Sequence, residues 1–301
     1  MDTAIKEIEK KNLSKIEKDI FLSKLTTYKV GGLAKYVVYP KDYSSFVSLL
    51  RIIKKYNIKF KIIGNGSNLL FSDKTYNGIL IKLSEFNDIE FFDNKIKVGA
   101  GFSLIKLSLL AAKHSLTGLE FASGIPGTVG GAIFMNAGAY KSDMGYVVQE
   151  VKVLTPDLRI ITLENKELNF HYRSSFLQTH PDYICLEAII KLEKGNKTTI
   201  ENVIKERRKR RIESQPLEYP SAGSVFRNPT DAFAGQLIEE SGLKGLHKGG
   251  AMVSDKHANF IVNAGGASSK DIKDLIDYVH NKIKEKYNID LKVEQEFVNW
   301  E

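Results

Sequence analysis

The sequence predicts an α+β chain of two packed domains, the first ending near residue 195. Three observations lead there. A βαβ unit lies near the N-terminus, with a strand at 35–40 (KYVVYP), an amphipathic helix over about 43–56 that sets Phe46, Leu49, Leu50 and Ile53 on one side, and a strand at 59–63. Strand patterns then dominate from 78 to 193, and near 195–200 they give way to longer helical ones. Finally, 301 residues exceed the ~150-residue modal domain, so two or three units with a sizeable core are expected. The division that follows is 1–195, itself parted into about 22–83 and 84–195, and then 196–301.

Taken in order, residues 1–20 alternate charge with single apolar residues. They read as a helix candidate and lack the ~7–15-residue apolar region of a secretory signal, which points to the cytoplasm. GILIKL (78–83), IEFF (89–92) and KIKVGAG (95–101) read as strands, followed by an apolar helix over about 103–114. Strands at 147–154, 158–163 and 183–193 are separated by turns at PD (156–157) and HPD (180–182). GNKTTIENVIKERRKRRIESQP is a helix with a Thr/Asn-rich start and a proline stop. The remainder predicts a helix over about 231–241, a strand at 259–263, a helix over about 269–286 opened by Ser268 or Ser269, and a strand at 290–297.

The hydrophobic share of 43% and charged share of 27% are those of an ordinary globular chain, and no apolar run approaches the ~18 residues of a membrane span. The single cysteine, Cys185, lies in the apolar run YICLEAII, the setting of a buried strand rather than of a nucleophile. Six histidines show no ligand spacing with one another or with Cys185, so no metal is expected. A net charge of +8 favours anionic ligands. Its densest run, KERRKRR at 205–211, has neither interleaved aromatics nor a reading motif, and so reads as a solvated or ligand-facing helix side rather than a nucleic-acid surface.

Two glycine-rich segments carry the chemistry. GNGSNLLFSD (64–73) follows a strand, where α/β folds place ligands, and SGIPGTVGGAIFMNAGAY (123–140) has four glycines in the eight residues from Gly124 to Gly131. Such backbone can turn with positive φ and bring N–H groups close to a pyrophosphate, although one loop alone could equally be a tight packing turn. Together the two suggest a dinucleotide held from two sides. GNGSNL lacks the third glycine of the Rossmann fingerprint, and no glycine precedes the Lys-Ser/Thr of a P-loop.

These segments, together with TTYKVGG (26–32), YRSS (172–175), QPLEYPSAGSVFRNP (215–229), AGQLIEESGLKG (234–245), GGAMVSDKHANFIVN (249–263) and LKVEQE (291–296), occur in an order that resembles the UDP-N-acetylenolpyruvoylglucosamine reductases over about residues 22–298. The resemblance implies an FAD-binding domain of the vanillyl-alcohol-oxidase (PCMH-like) type in two subdomains, an α+β C-terminal substrate-binding domain, and a cytoplasmic oxidoreductase of peptidoglycan precursor synthesis. It assigns Gly64, Asn65, Gly66, Ser67, Asn68 and Leu69, with Ser123, Gly124, Pro126, Gly127, Thr128, Gly130, Gly131, Ala132, Asn136 and Gly138, to non-covalent FAD. NADPH is the implied co-substrate, its hydride passing through the flavin to the enolpyruvyl methylene carbon of a UDP-sugar. By position Ser224 is the proton donor, and Arg173 and Glu294 are the other two catalytic residues. Tyr140, Tyr172, Arg227 and Asn228 fall where the family contacts the UDP-sugar.

Four features depart from the family pattern. Arg227 stands where many members have lysine, Gln295 where an aliphatic residue is common, and Lys292 where an acid is usual. Only FLQTHPD separates YRSS from YICLEAII, so the chain has the family's shorter form, without the insertion that supplies a tyrosine lid. His257 in DKHANF reads equally as a ligand contact or a capping residue. An FAD oxidase of the same fold is the rival reading, against which PSAGSVFRNP and HANFIVN count because they lie outside the flavin domain. No nucleic acid, membrane or obligate protein partner is expected.

Overall fold

The computed structural model describes residues 1–300, and the chain forms two units, each built from segments distant in sequence. The first comprises Met1–Glu17, Val37–Gly64 and Gly78–Arg210, and the second Lys18–Tyr36, Asn65–Asn77 and the chain from Arg211 onward. This differs from the contiguous division at 195 that the change of texture suggests. The helix Lys197–Ser214 buries Ile200 and Ile204 against Ala112, and its residues up to Arg210 belong to the first unit. Conversely, Tyr28, Val30 and Leu70 lie in the apolar core of the second unit, and Leu69–Phe71 pairs in parallel with Glu296–Val298.

The first unit is organised around a five-stranded antiparallel sheet in the order Ile160–Glu164, Val148–Leu154, Ile184–Lys191, Lys95–Gly99, Ile89–Phe92. Its register aligns buried Val151, Ala188 and Val98 in one row. The next row sets Lys152 beside Glu187, whose carboxylate also lies 3.6 Å from Lys97 Nζ. One face is therefore apolar and one charged, as the period of two requires. The short helix Val129–Phe134 packs on the central strand, Ile184–Lys191, and its neighbour Lys95–Gly99, and so ties the second glycine-rich segment to the sheet. Phe60–Ile62, from the predicted βαβ unit, pairs in parallel with Ile79–Ile81, and the helix that precedes it, Tyr43–Lys55, has Asp42 accepting from Ser45 N as its cap.

In the second unit a sheet of His247–Lys248, Ala251–Val253 and Ile261–Asn263 is covered by the helix Ser269–Tyr287. That helix buries Ile272, Leu275, Ile276, Val279 and Ile283, an i, i+3, i+4, i+7 stripe. Ser268 and Asp271 form a capping box at its start, and Asp73 accepts from the N–H groups of Ser269 and Lys270. Two expectations change. The N-terminal segment is a helix only over Asp2–Lys10, and Ser14–Phe21 is a strand. Of the strand expected at 290–297, only Glu296–Val298 pairs continuously, with one isolated bridge from Val293 to Phe226. No helix is long and apolar enough to cross a membrane among the described residues.

Cys185 lies in the buried strand, as its apolar surroundings suggest, and burial pushes its thiol up to about 12. A disulfide-exchange reagent at pH 8 is therefore expected to leave the native protein unlabelled and to titrate one thiol after denaturation. Rapid labelling of the native form would contradict the strand assignment.

Candidate active site

In the first unit the two glycine-rich segments touch. A Cβ at Gly64 would lie 2.6 Å from Thr128 Oγ1, so only glycine fits there. Thr128 caps the helix Val129–Phe134, its hydroxyl accepting from Gly131 N at 3.3 Å, and the loop before it is held by Leu104 N to Gly127 O and Val129 N to Phe102 O. Gly130 packs on Ala100, where a Cβ would approach within 3.0 Å. Gly131 differs: it is exposed, and a Cβ there would find only Thr128 Oγ1 at 3.4 Å. Half-buried Ser123, Gly124 and Gly127 and exposed Pro126 surround a backbone that a ligand can reach, while Ala132 is buried. The space at Gly131, at the start of a helix among small residues, fits a pyrophosphate-bearing group.

The end of this segment has a different task. Asn136, 1% exposed, donates from Nδ2 to His171 O at 2.8 Å and accepts at Oδ1 from Gly145 N at 2.9 Å. Gly138 is buried, with no room for a Cβ beside Asp143. The resemblance gives both to the cofactor, and both also make bonds within the protein. The residue Asn136 grips opens a tight turn in which His171 and Ser174 exchange both backbone bonds, each 3.0 Å, leaving Tyr172 and Arg173 at the tip. Arg173 adopts φ +53°, donates from Nη2 to Gly138 O at 2.9 Å and lies 5.2 Å from the Tyr172 ring centre. Tyr172 is 54% exposed and Tyr140 45%; the Arg207 guanidinium sits 4.9 Å over the Tyr140 ring, whose hydroxyl donates to Arg207 O.

In the second unit Gly66 turns with φ +63°, leaving no room for a Cβ beside Leu25 O, between exposed Asn65 and half-buried Ser67. Asn68 donates from Nδ2 to Glu294 O at 3.1 Å and its carbonyl accepts from Glu296 N, so this residue, also assigned to FAD, braces the Glu294 segment. Leu69 opens the strand Leu69–Phe71.

The same unit brings Ser224 and Glu294 onto neighbouring segments. Glu294 N donates to Val225 O at 2.8 Å, Arg227 N to Lys292 O at 2.9 Å, and Val293 bridges Phe226. On the other flank Asn259 holds the segment through three bonds: its carbonyl accepts from Val225 N, Oδ1 from Phe226 N, and Nδ2 donates to Phe226 O. Asn259 stands in the HANF motif, and nothing in its apolar sequence neighbourhood signals this bracing role. His257 accepts at Nδ1 from Asn259 N, and burial pushes its pKa down, so it serves here as a neutral turn cap. Arg227 Nε is buried and has no hydrogen-bond partner among the described residues, which leaves a cationic donor for an anion. Asn228 is exposed and accepts at Oδ1 from Ala234 N, steadying the helix Ala234–Glu240.

The pattern of an FAD binding domain matches residues 34–164, and that of the UDP-N-acetylenolpyruvoylglucosamine reductase C-terminal domain matches residues 215–298. The UDP-N-acetylenolpyruvoylglucosamine reductase of Anoxybacillus flavithermus is 44% identical over 99% of both chains, and that of Bacillus subtilis 43% over the same shares. The crystal structure of the UDP-N-acetylenolpyruvylglucosamine reductase from Thermus caldophilus superposes with a TM-score of 0.82 at 35% identity, covering 95% of this chain and 99% of that one. With an FAD-binding domain, a C-terminal domain of the reductase type and relatives matching end to end, the chain belongs to the UDP-N-acetylenolpyruvoylglucosamine reductase family.

Proposed function

We propose that this chain reduces UDP-N-acetylglucosamine enolpyruvate to UDP-N-acetylmuramate with NADPH, in the synthesis of peptidoglycan precursors. The observation that carries the reading is the backbone pairing of the Ser224 and Glu294 segments, in a chain that matches named reductases over 99% of its length. Bound FAD supplies the hydride relay from NADPH to the methylene carbon of the substrate. The residues of the first unit that would hold it are Gly64, Thr128 and the open backbone around Gly131. Both co-substrates are cytoplasmic metabolites, so the reading places the protein in the cytoplasm.

Hydride addition to the methylene carbon leaves negative charge on the neighbouring carbon, spread into its carboxylate. The charge requires a cationic clamp and a proton. Arg173, its guanidinium oriented by Gly138 O and the Tyr172 ring, is the clamp, a planar fork matched to a carboxylate. Ser224 gives its hydroxyl proton to the carbon, which saturates the double bond and balances the hydride. A hydroxyl is a weak acid near neutral pH, and the transfer is feasible because the carbanion is strongly basic. Glu294, on the segment bonded to Val225, orients Ser224 and shares in restoring its proton. The buried, unpartnered Nε of Arg227 fits a substrate pyrophosphate, and exposed Tyr140, Tyr172 and Asn228 contact the UDP-sugar.

The two halves of the reaction can be timed separately by flavin colour. Ser224→Ala is expected to keep its FAD and be bleached by NADPH at near the parent rate, while the return of colour on adding substrate slows by at least ~10²-fold, the usual loss of a general acid. Glu294→Gln is expected to show the same asymmetry. Recolouring of Ser224→Ala at the parent rate would mean that the proton comes from elsewhere.

Arg227→Ala is expected to raise the substrate KM about tenfold or more, since it removes a charge-assisted contact worth ~1.5–3 kcal/mol. Neutralising Lys209 and Arg210 is expected to do far less. Equal effects would show that positive charge acts only as a diffuse field.

A further inference from the structure

We propose that Gln295 is a positioning residue for the proton-donating step, its buried amide, anchored by Tyr28, fixing the turn that presents Ser224. The inference rests on the reading of Ser224 as proton donor and concerns the second unit alone. Gln295 is 4% exposed. Its Nε2 donates to Ala222 O at 3.2 Å and to Gly223 O at 3.3 Å, and its Oε1 accepts from Tyr28 Oη at 2.9 Å. Carbonyl oxygens can only accept, so the nitrogen of the amide must face the turn and the oxygen must face the tyrosine. No flipped amide satisfies all three groups.

The turn needs such a brace. Gly223 adopts φ +75°, and a Cβ there would meet nothing within 4 Å, so sterics do not hold its conformation. Glycine reaches either sign of φ at little cost, and what selects this one is hydrogen bonding: Gln295 at the carbonyls of 222 and 223, Asn259 at the N–H of Val225. Ser224 lies between these two anchors. The far end of the brace is rigid, because Tyr28 is fully buried in the apolar core and its own carbonyl accepts from Asn263 Nδ2 at 3.3 Å. Burial also holds the Tyr28 hydroxyl well above the ordinary phenol range, so it stays a donor throughout the working pH range. Gln295 follows Glu294 directly, and so one segment carries a backbone bond to Val225 and a side-chain brace to Ala222 and Gly223.

The test uses the FAD-loaded full chain and Gln295→Met, which keeps side-chain length and removes the amide. Gln295→Met is expected to be bleached by NADPH at near the parent rate, while recolouring by UDP-N-acetylglucosamine enolpyruvate slows about tenfold to 10²-fold, the cost of displacing a reacting group by about 1 Å. Backbone hydrogen exchange across 222–226 is expected to quicken. Tyr28→Phe removes only the anchoring hydroxyl and is expected to slow the same step by less; it also decides the matter if Gln295→Met fails to fold. In a Ser224→Ala background Gln295→Met is expected to add nothing. Equal slowing of both halves, unchanged exchange at 222–226, or an undiminished effect in the Ser224→Ala background overturns the proposal. If Ser224→Ala alone recolours at the parent rate, it is the underlying assignment of the proton donor that fails.

Discussion

The segment that carries Ser224 belongs to no sheet, and its backbone polar groups must be satisfied one at a time by residues far away in the chain. Asn259 does most of this. Its side-chain amide bonds to both the N–H and the C=O of Phe226, imitating a strand partner, while its own carbonyl takes the N–H of Val225. Phe226 and Asn259 are both buried, so a bond lost here is not replaced by water; leaving such a group unpaired costs ~1–3 kcal/mol. The opposite edge is bonded to Glu294 N and Lys292 O, so the serine segment is held from both flanks. Rigid support of a reacting side chain by buried hydrogen bonds is what general acid catalysis needs, since a weak acid works only when its proton is already aimed.

The glycines divide along similar lines. Glycine-rich sequence invites the inference that side chains are kept away from a ligand, but Gly64, Gly66 and Gly130 are required first by the protein's own packing against Thr128, Leu25 and Ala100. Gly131, by contrast with these three, is open on its far side. The two explanations are compatible: close packing of Gly64 on Thr128 is what brings one glycine-rich segment onto the other, and the approachable backbone at Gly131 follows from the helix that Thr128 caps.

Much of the fold was legible from periodicity. The helix at 43–55, the antiparallel strands of the first unit and the long amphipathic helix 269–287 follow from apolar spacing and caps, which are local signals. What escaped was non-local. Nothing near Leu69–Phe71 announces that it pairs with Glu296–Val298, and nothing in the run 290–297 says that its backbone is shared between the Ser224 segment and Leu69–Phe71 instead of pairing with one continuous strand. The same holds in the site. Ser224, Arg173 and Glu294 were identified through the order of motifs, whereas Asn136, Asn259 and Gln295 act through bonds to residues 9, 33 and 72 or more positions away, and a buried amide carries no sequence signature of its partner. Of these, Asn136, which the resemblance gives to the cofactor, also anchors the Tyr172–Arg173 turn.

The central claim is that this chain carries a flavin which NADPH reduces and the enolpyruvyl sugar reoxidises. Anaerobic titration of the purified protein, followed by its visible spectrum, tests this most directly. The account predicts a yellow protein whose flavin is released by acid, is bleached by NADPH, and regains its colour when UDP-N-acetylglucosamine enolpyruvate is added, with UDP-N-acetylmuramate formed in equal amount. A colourless protein, or a bleached flavin that recovers with dioxygen but not with the enolpyruvyl sugar, would contradict it.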